Sequence, residues 1–264
     1  MPLLTLNNLA KRYGNGTLAL DNMNLTVGQH EFVSFLGPSG CGKSTALKMI
    51  AGLSPISGGS IAWEDEDTKE AEDPEGEGER EGESKISFVF QEPTLMPWAT
   101  VFDNVWLPLR LTGKSRDSVR TKVEVALAAV GLSQFAQVYP RELSGGMKMR
   151  VSIARAMITR PRLLLMDEPF AALDEMTRVK LNNDTLALWA THRFTAIFVT
   201  HSVYEAVYLG NRIVVMAARP GRVVAEIAVD EPYPRTDEFR VSARFNALCI
   251  QVSSALQAAG EVHA

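Results

Sequence analysis

Residues 37–45 read Gly37-Pro38-Ser39-Gly40-Cys41-Gly42-Lys43-Ser44-Thr45, and they fit the pattern G-x-x-x-x-G-K-[ST] completely. The glycines let successive backbone N–H groups converge, forming a concavity suited to phosphate oxygens. Glu31-Phe32-Val33-Ser34-Phe35-Leu36 before the loop reads as a buried strand, and Ala46-Leu47-Lys48-Met49-Ile50 after it has helical periodicity. Strand, glycine-rich loop and helix in that order bring the positive end of the helix to the same place. Lys43 adds a point charge for terminal phosphates, and the Ser44 hydroxyl can ligate Mg²⁺. Cys41, near a helix N-terminus, is expected to have a lowered thiol pKa and to react with alkylating agents unless a nucleotide shields it.

Outward from the loop, Leu163-Leu164-Leu165-Met166 and Thr195-Ala196-Ile197-Phe198-Val199 are continuous apolar runs, as buried parallel strands require. Open α/β sheets bind ligands beyond the carboxyl ends of such strands. Asp167, Glu168 and His201 therefore arrive at the edge that carries the glycine-rich loop. Asp167 is the natural Mg²⁺ carboxylate. Side chains alternate along a strand, so Glu168 points elsewhere and is the candidate to orient or deprotonate an attacking water. Gln91 ends another strand, Ile86-Ser87-Phe88-Val89-Phe90, with an amide that can meet Mg²⁺ or water. Leu143-Ser144-Gly145-Gly146-Met147 opens a helix; Ser144 is a good N-cap, and the glycines expose N–H groups able to hold phosphate. Alone, each of these is ordinary: an Asp-Glu pair often starts a helix, a histidine often caps one, and Leu-Ser-Gly-Gly is often just a loop. The phosphate loop gives them a shared context.

The 264 residues carry 46% hydrophobic side chains, which excludes wholesale disorder. No apolar run approaches the roughly 20 residues that span a bilayer, and no secretory signal is evident. Membrane association is expected through a partner. Cys41 and Cys249 give no disulfide framework, and the chain reads as cytoplasmic. Residues 64–83 hold twelve acids and two bases; the rest has 25 basic and 19 acidic residues, a net charge of +6. A mildly basic body suits polyphosphate, whereas the acidic stretch reads as a solvated excursion. The alternating segments 3–13 and 18–37 read as a β-rich edge. Val119, Val123, Ala126, Leu127 and Val130 share one helical face that stops at Gly131. Phe245, Leu248, Val252 and Leu256 mark a docked terminal helix.

Together these motifs resemble the ABC transporter ATPase family over most of the chain. The resemblance implies an α/β fold: a P-loop NTPase core with a mostly parallel sheet, an antiparallel β edge subdomain and an α-helical signature subdomain. It implies core segments 1–90 (with the acidic insertion 64–83) and 161–230, a helical subdomain 91–160 and a tail 231–264. Tyr13 corresponds to the aromatic that stacks on adenine, Gly37 to Thr45 to Walker A, and Gln91 to the Q-loop. Ser144, Gly145 and Gly146 match the signature motif, residues 163–168 the Walker B strand, Leu173-Asp174 the D-loop and His201 the switch histidine. ATP and Mg²⁺ are thus implied, with Ser44, Gln91 and Asp167 toward the metal and Lys43, Glu168 and His201 in catalysis.

"GPSGCGKST", "PWATVFDNV", "DEPFAALD" and "ARPGRVV" resemble the nitrate, sulfonate and taurine importer group. That implies a head-to-tail homodimer on the cytoplasmic face of the inner membrane, permease subunits, and a substrate-binding protein outside. After Gln91, Leu95, Met96 and Trp98 are expected to be either core or an exposed docking patch. Met147 and Met149 depart from the glutamines frequent in the signature helix, and Met149 is expected to soften its polar contacts. The competing expectation, a soluble ABC-type ATPase acting on ribosomes or nucleic acid, predicts a basic arm or a second cassette; neither is present, and twelve acids would repel nucleic acid.

Overall fold

The computed structural model describes residues 1–64 and 86–261; the acidic stretch beyond Glu64 lies outside them. The strands are β1 (Pro2–Arg12), β2 (Leu18–Gly28), β3 (Phe32–Leu36), β4 (Gly58–Trp63), β5 (Ile86–Val89), β6 (Leu163–Asp167), β7 (Thr195–Thr200), β8 (Arg212–Ala217) and β9 (Arg222–Ala228). The helices are α1 (Lys43–Ile50), α2 (Val101–Leu111), α3 (Arg120–Ala129), α4 (Gly145–Met157), α5 (Glu175–His192), α6 (Val203–Leu209), α7 (Asp237–Arg240) and α8 (Ala243–Glu261).

Two sheets divide the strands. The larger has the order β5-β6-β7-β3-β8-β9, parallel from β5 to β8 and closed by antiparallel β9. β3 and β7 are buried along their whole length, because both faces of a parallel sheet are covered. The smaller sheet, β2-β1-β4, is antiparallel. Its pairing slips between Leu6 and Leu9, where Asn8 takes a positive φ and donates its N–H to Asn24 Oδ1 at 2.9 Å. Asparagine tolerates that conformation, so the bulge falls on an Asn pair.

Strand alternation assigns the core. Leu163, Leu165, Ile197, Val199, Val33 and Phe35 pack on one side of the large sheet with α1 and the small sheet. Leu164, Met166, Ala196, Phe198, Phe32 and Leu36 pack on the other side with the remaining helices. The expected face of α3 is buried at Val119, Val123, Leu127 and Val130, and α8 docks through Phe245, Cys249, Val252 and Ala259. Met149 corrects an expectation. It is buried in the core, so it replaces no exposed polar contact. Among the described residues no helix is long and apolar enough to cross a membrane.

Candidate functional site

The chain leaves β3 at Leu36, turns through residues 37–42 and enters α1 at Lys43. Gly42 makes that entry at φ 92°, a left-handed conformation that glycine adopts without strain. Lys43 is only 4% exposed. Its Nζ donates to the carbonyls of Gly37 at 2.8 Å and Pro38 at 3.1 Å, so the ammonium sits inside the loop. Gly221, in the turn between β8 and β9, closes the loop from behind. A Cβ on it would fall 2.1 Å from the Cys41 carbonyl oxygen and 2.8 Å from that of Ala19.

Cys41 overturns the expectation of a reactive thiol. It is wholly buried, and burial pushes its pKa up, outweighing the nearby Lys43 charge. Desolvation of a thiolate is the larger effect in so enclosed a place.

Asp167 continues the Leu163–Leu165 side of β6 and therefore faces α1. Ser44 Oγ donates to Asp167 Oδ1 at 2.7 Å. One residue on, Glu168 turns away with φ 50°, its N–H donating to Val199 O at 3.0 Å. Its Oε1 lies 2.6 Å from His201 Nε2. The two carboxylates thus point differently, as expected, but through the left-handed turn at Glu168 rather than through strand alternation, and the Glu168–His201 contact joins the ends of β6 and β7. Tyr13 lies in the turn between β1 and β2, 45% exposed, its hydroxyl 3.3 Å from Thr45 Oγ1. Ser39 and Gly40 are exposed at the loop tip.

Gln91 lies two residues past β5 and is exposed. The stretch after it divides: Leu95 and Met96 are half-buried, whereas Trp98 is 77% exposed. Buried Asn104 accepts from Met96 N at 2.8 Å and donates to Met96 O at 3.1 Å, and Arg155 donates to the carbonyls of Pro93 and Thr94. This clamp holds out Trp98. Ser144 caps α4 by accepting from Met147 N at 3.3 Å, and Gly145 and Gly146 lie beside Leu173 and Thr177.

Hydroxyl Ser44 and carboxylate Asp167 are hard oxygen donors, which suit Mg²⁺ bound largely by phosphates and waters. Such a site needs no protein cage, and the described residues contain no cluster of three His, Cys, Asp or Glu that would form one. Two residues behind the site, Arg178 and Glu205, escape sequence reasoning. The only signal is an acid inside the apolar run Val203-Tyr204-Glu205-Ala206-Val207.

Fold and loop together define a phosphate-loop NTPase. The ABC transporter family profile matches residues 20–171. An ATP-binding protein of Brucella abortus biovar 1 (strain 9-941) is 48% identical over 247 residues, covering 94% of this chain and 90% of that protein. The aliphatic sulfonates import ATP-binding protein SsuB of Bacillus licheniformis is 44% identical over 86% of this chain and 84% of its own. The taurine import ATP-binding protein TauB of Rhizobium johnstonii is 44% identical over 84% and 80%. Among solved structures, the dimeric post-hydrolysis state of the ATP-binding cassette MJ0796 bound to ADP and Pi superposes with TM-score 0.71 at 33% identity, covering 87% of this chain and 100% of that one. CbiO1 from Clostridium perfringens, part of the ABC transporter complex cbiONQ, gives TM-score 0.74 at 26% identity over 96% and 99%.

The chain belongs to the ABC transporter family, as an ATP-binding component and ATPase.

Proposed function

We propose that this chain powers an importer of small organic anions of the sulfonate or taurine type, working as a head-to-tail homodimer against membrane permease subunits. The carrying observation is the 44% identity to the sulfonate and taurine import proteins across more than four fifths of this chain. In this reading the chain is peripheral on the cytoplasmic face of the inner membrane, and a substrate-binding protein delivers cargo from outside. Segments 1–90 and 161–230 act as the nucleotide-binding core, 91–160 as the helical signature subdomain and 231–264 as the tail.

In this proposal the loop from Gly37 to Thr45 wraps the phosphates of ATP, Tyr13 stacks on the adenine and Lys43 meets the terminal phosphates. Ser44, Asp167 and Gln91 would hold Mg²⁺, which would neutralise phosphate charge as the bond breaks. Glu168 orients the attacking water and accepts its proton, while His201 fixes the Glu168 carboxylate through their 2.6 Å contact. Ser144, Gly145 and Gly146 of one protomer close on the ATP of its partner, using the N-terminal end of α4. The exposed Trp98, held out by Asn104 and Arg155, docks on the permease.

The test is reconstitution of the chain with its membrane subunits in vesicles, followed by ATP-dependent uptake of labelled taurine and an alkanesulfonate. Uptake of either, reduced by Trp98→Ala while the ATPase of the free chain is kept, supports the proposal. Association with ribosomes or nucleic acid and none with a membrane subunit would favour a soluble ABC-type ATPase.

A further inference from the structure

His201 stands between two residues that are both tied to Glu205. The Thr200 hydroxyl donates to Glu205 Oε2, and Glu205 N donates to Ser202 Oγ at 3.3 Å. Ser202 N also donates to Thr200 Oγ1 at 3.0 Å. The Glu205 carboxylate therefore holds the Thr200 side of His201, while on the other side the Glu205 backbone N–H is taken up by Ser202 as the cap of α6. Alternation along β7 explains the direction of the grip. Thr200 shares the face of Ala196 and Phe198, which looks toward the helices rather than toward α1.

On its other side Glu205 meets Arg178, whose Nε lies 3.6 Å from Glu205 Oε1. Arg178 Nη2 donates to the carbonyl of Leu173 at 3.0 Å. Leu173 N in turn donates to Phe170 O, and Ala171 N to Glu168 O, each at 3.2 Å. The contacts thus close a ring: Glu168, the turn 168–173, Arg178, Glu205, the Thr200–Ser202 segment, His201, and Glu168 again. Glu205 is 6% exposed. Burial pushes its carboxyl pKa up, and the Thr200 hydroxyl and the Arg178 charge pull it back. A carboxylate kept in such a place needs both partners.

We propose that Glu205 and Arg178 are positioning residues that couple the Leu173–Asp174 loop to His201, so that the two move as one unit. This inference rests on the roles given above to Glu168 and His201. Displacement of Leu173, for example by a second copy of the chain, would be transmitted through Arg178 and Glu205 to the His201–Glu168 contact. Neither residue touches the phosphate loop. Loss of the ring should therefore change turnover rather than ATP binding.

The experiment measures ATP turnover and nucleotide affinity in full-length Glu205→Gln, Arg178→Met and their combination, each also combined with His201→Ala. The expected result is a fall in kcat of about 10-fold for either single variant, with KM within about twofold of wild type. Non-additive effects are the mark of a shared unit. The double variant should thus fall no further than the worse single one, and Glu205→Gln should have no effect once His201 is alanine. A structural role would instead lower the melting temperature and persist in the His201→Ala background. Where Glu205→Gln does not fold, Thr200→Val removes the same grip with one near-isosteric change and should give the same split. Effects that multiply, that fall on KM, or that survive His201→Ala overturn the proposal. Glu168→Gln serves as reference: wild-type turnover in that variant defeats the site assignment itself, whereas slow Glu168→Gln beside unaffected Glu205 and Arg178 variants defeats only this inference.

Discussion

Glu168 and Cys41 illustrate how single side chains acquire their chemistry from what surrounds them. Glu168 sits beyond the last residue of β6 with its carboxylate against His201, beside the Ser44–Asp167 pair. Replacing it with glutamine keeps the shape and removes the base proposed above. Glu168→Gln should retain ATP binding, lose turnover by on the order of 100-fold, and accumulate an ATP-bound dimer on size exclusion with labelled nucleotide. A freely hydrolysing monomer would remove Glu168 from that role. Cys41 runs the other way. Buried thiols with raised pKa values are poor nucleophiles, and burial pushes Cys249 up to about 11. Iodoacetamide at neutral pH should leave both cysteines of the folded chain intact, with or without MgATP, and label both in urea. Mass spectrometry reads the difference; rapid labelling of Cys41 in the native protein would mean the loop opens.

At the level of elements, α5 begins at a built cap. Asp174 Oδ1 accepts from Thr177 N at 2.9 Å and Oδ2 from the Thr177 hydroxyl at 2.7 Å. These bonds hold the Asp174 carboxyl below its ordinary pKa of 3.8. A carboxyl depressed in the folded state adds stability above its unfolded pKa and loses it as pH falls through the folded value. Asp174→Ala should accordingly lower the melting temperature at pH 7, and the gap from wild type should narrow progressively below pH 3.8. A pH-independent gap would mean that the cap acts by packing alone. The start of α4 at Ser144 is readable in sequence, as are the central strands: β6 and β7 are unbroken apolar runs ending in polar groups, and both Asp167 and His201 follow from that ending. What covers Cys41 is not readable. Its neighbours include Gly37 and the β8–β9 turn at Gly221, and no local periodicity encodes so distant a contact. Arg178 and Glu205 stay hidden for the same reason, since each looks like an ordinary charge on a helix. The split of Leu95 and Met96 from Trp98 is also tertiary, set by Asn104 on α2.

Across the whole molecule, remote pieces of chain fix one another. Arg235 is 5% exposed and donates to the carbonyls of Val207, Tyr208, Gly210, Val229 and Glu231. It satisfies the end of α6 and binds the C-terminal segment to the sheet. Arg235→Met would keep the bulk and strand those carbonyls, at a cost of about 3 kcal/mol, measurable as reduced stability to urea. A loss below about 0.5 kcal/mol would mean that water replaces the guanidinium. Gly221 is tied in the same long-range manner, its N–H donating to Ala19 O and its carbonyl accepting from Asp21 N, both at 3.0 Å. That contact has a consequence for biosynthesis. The glycine-rich loop is made early, but its rear wall is among the later parts to leave the ribosome. During synthesis, domains form as their parts emerge, at roughly 5–20 residues per second. A nascent chain therefore carries residues 37–45 for on the order of ten seconds or more before the turn that backs them exists. The turn that backs the loop thus arrives late, when most of the protein has been made.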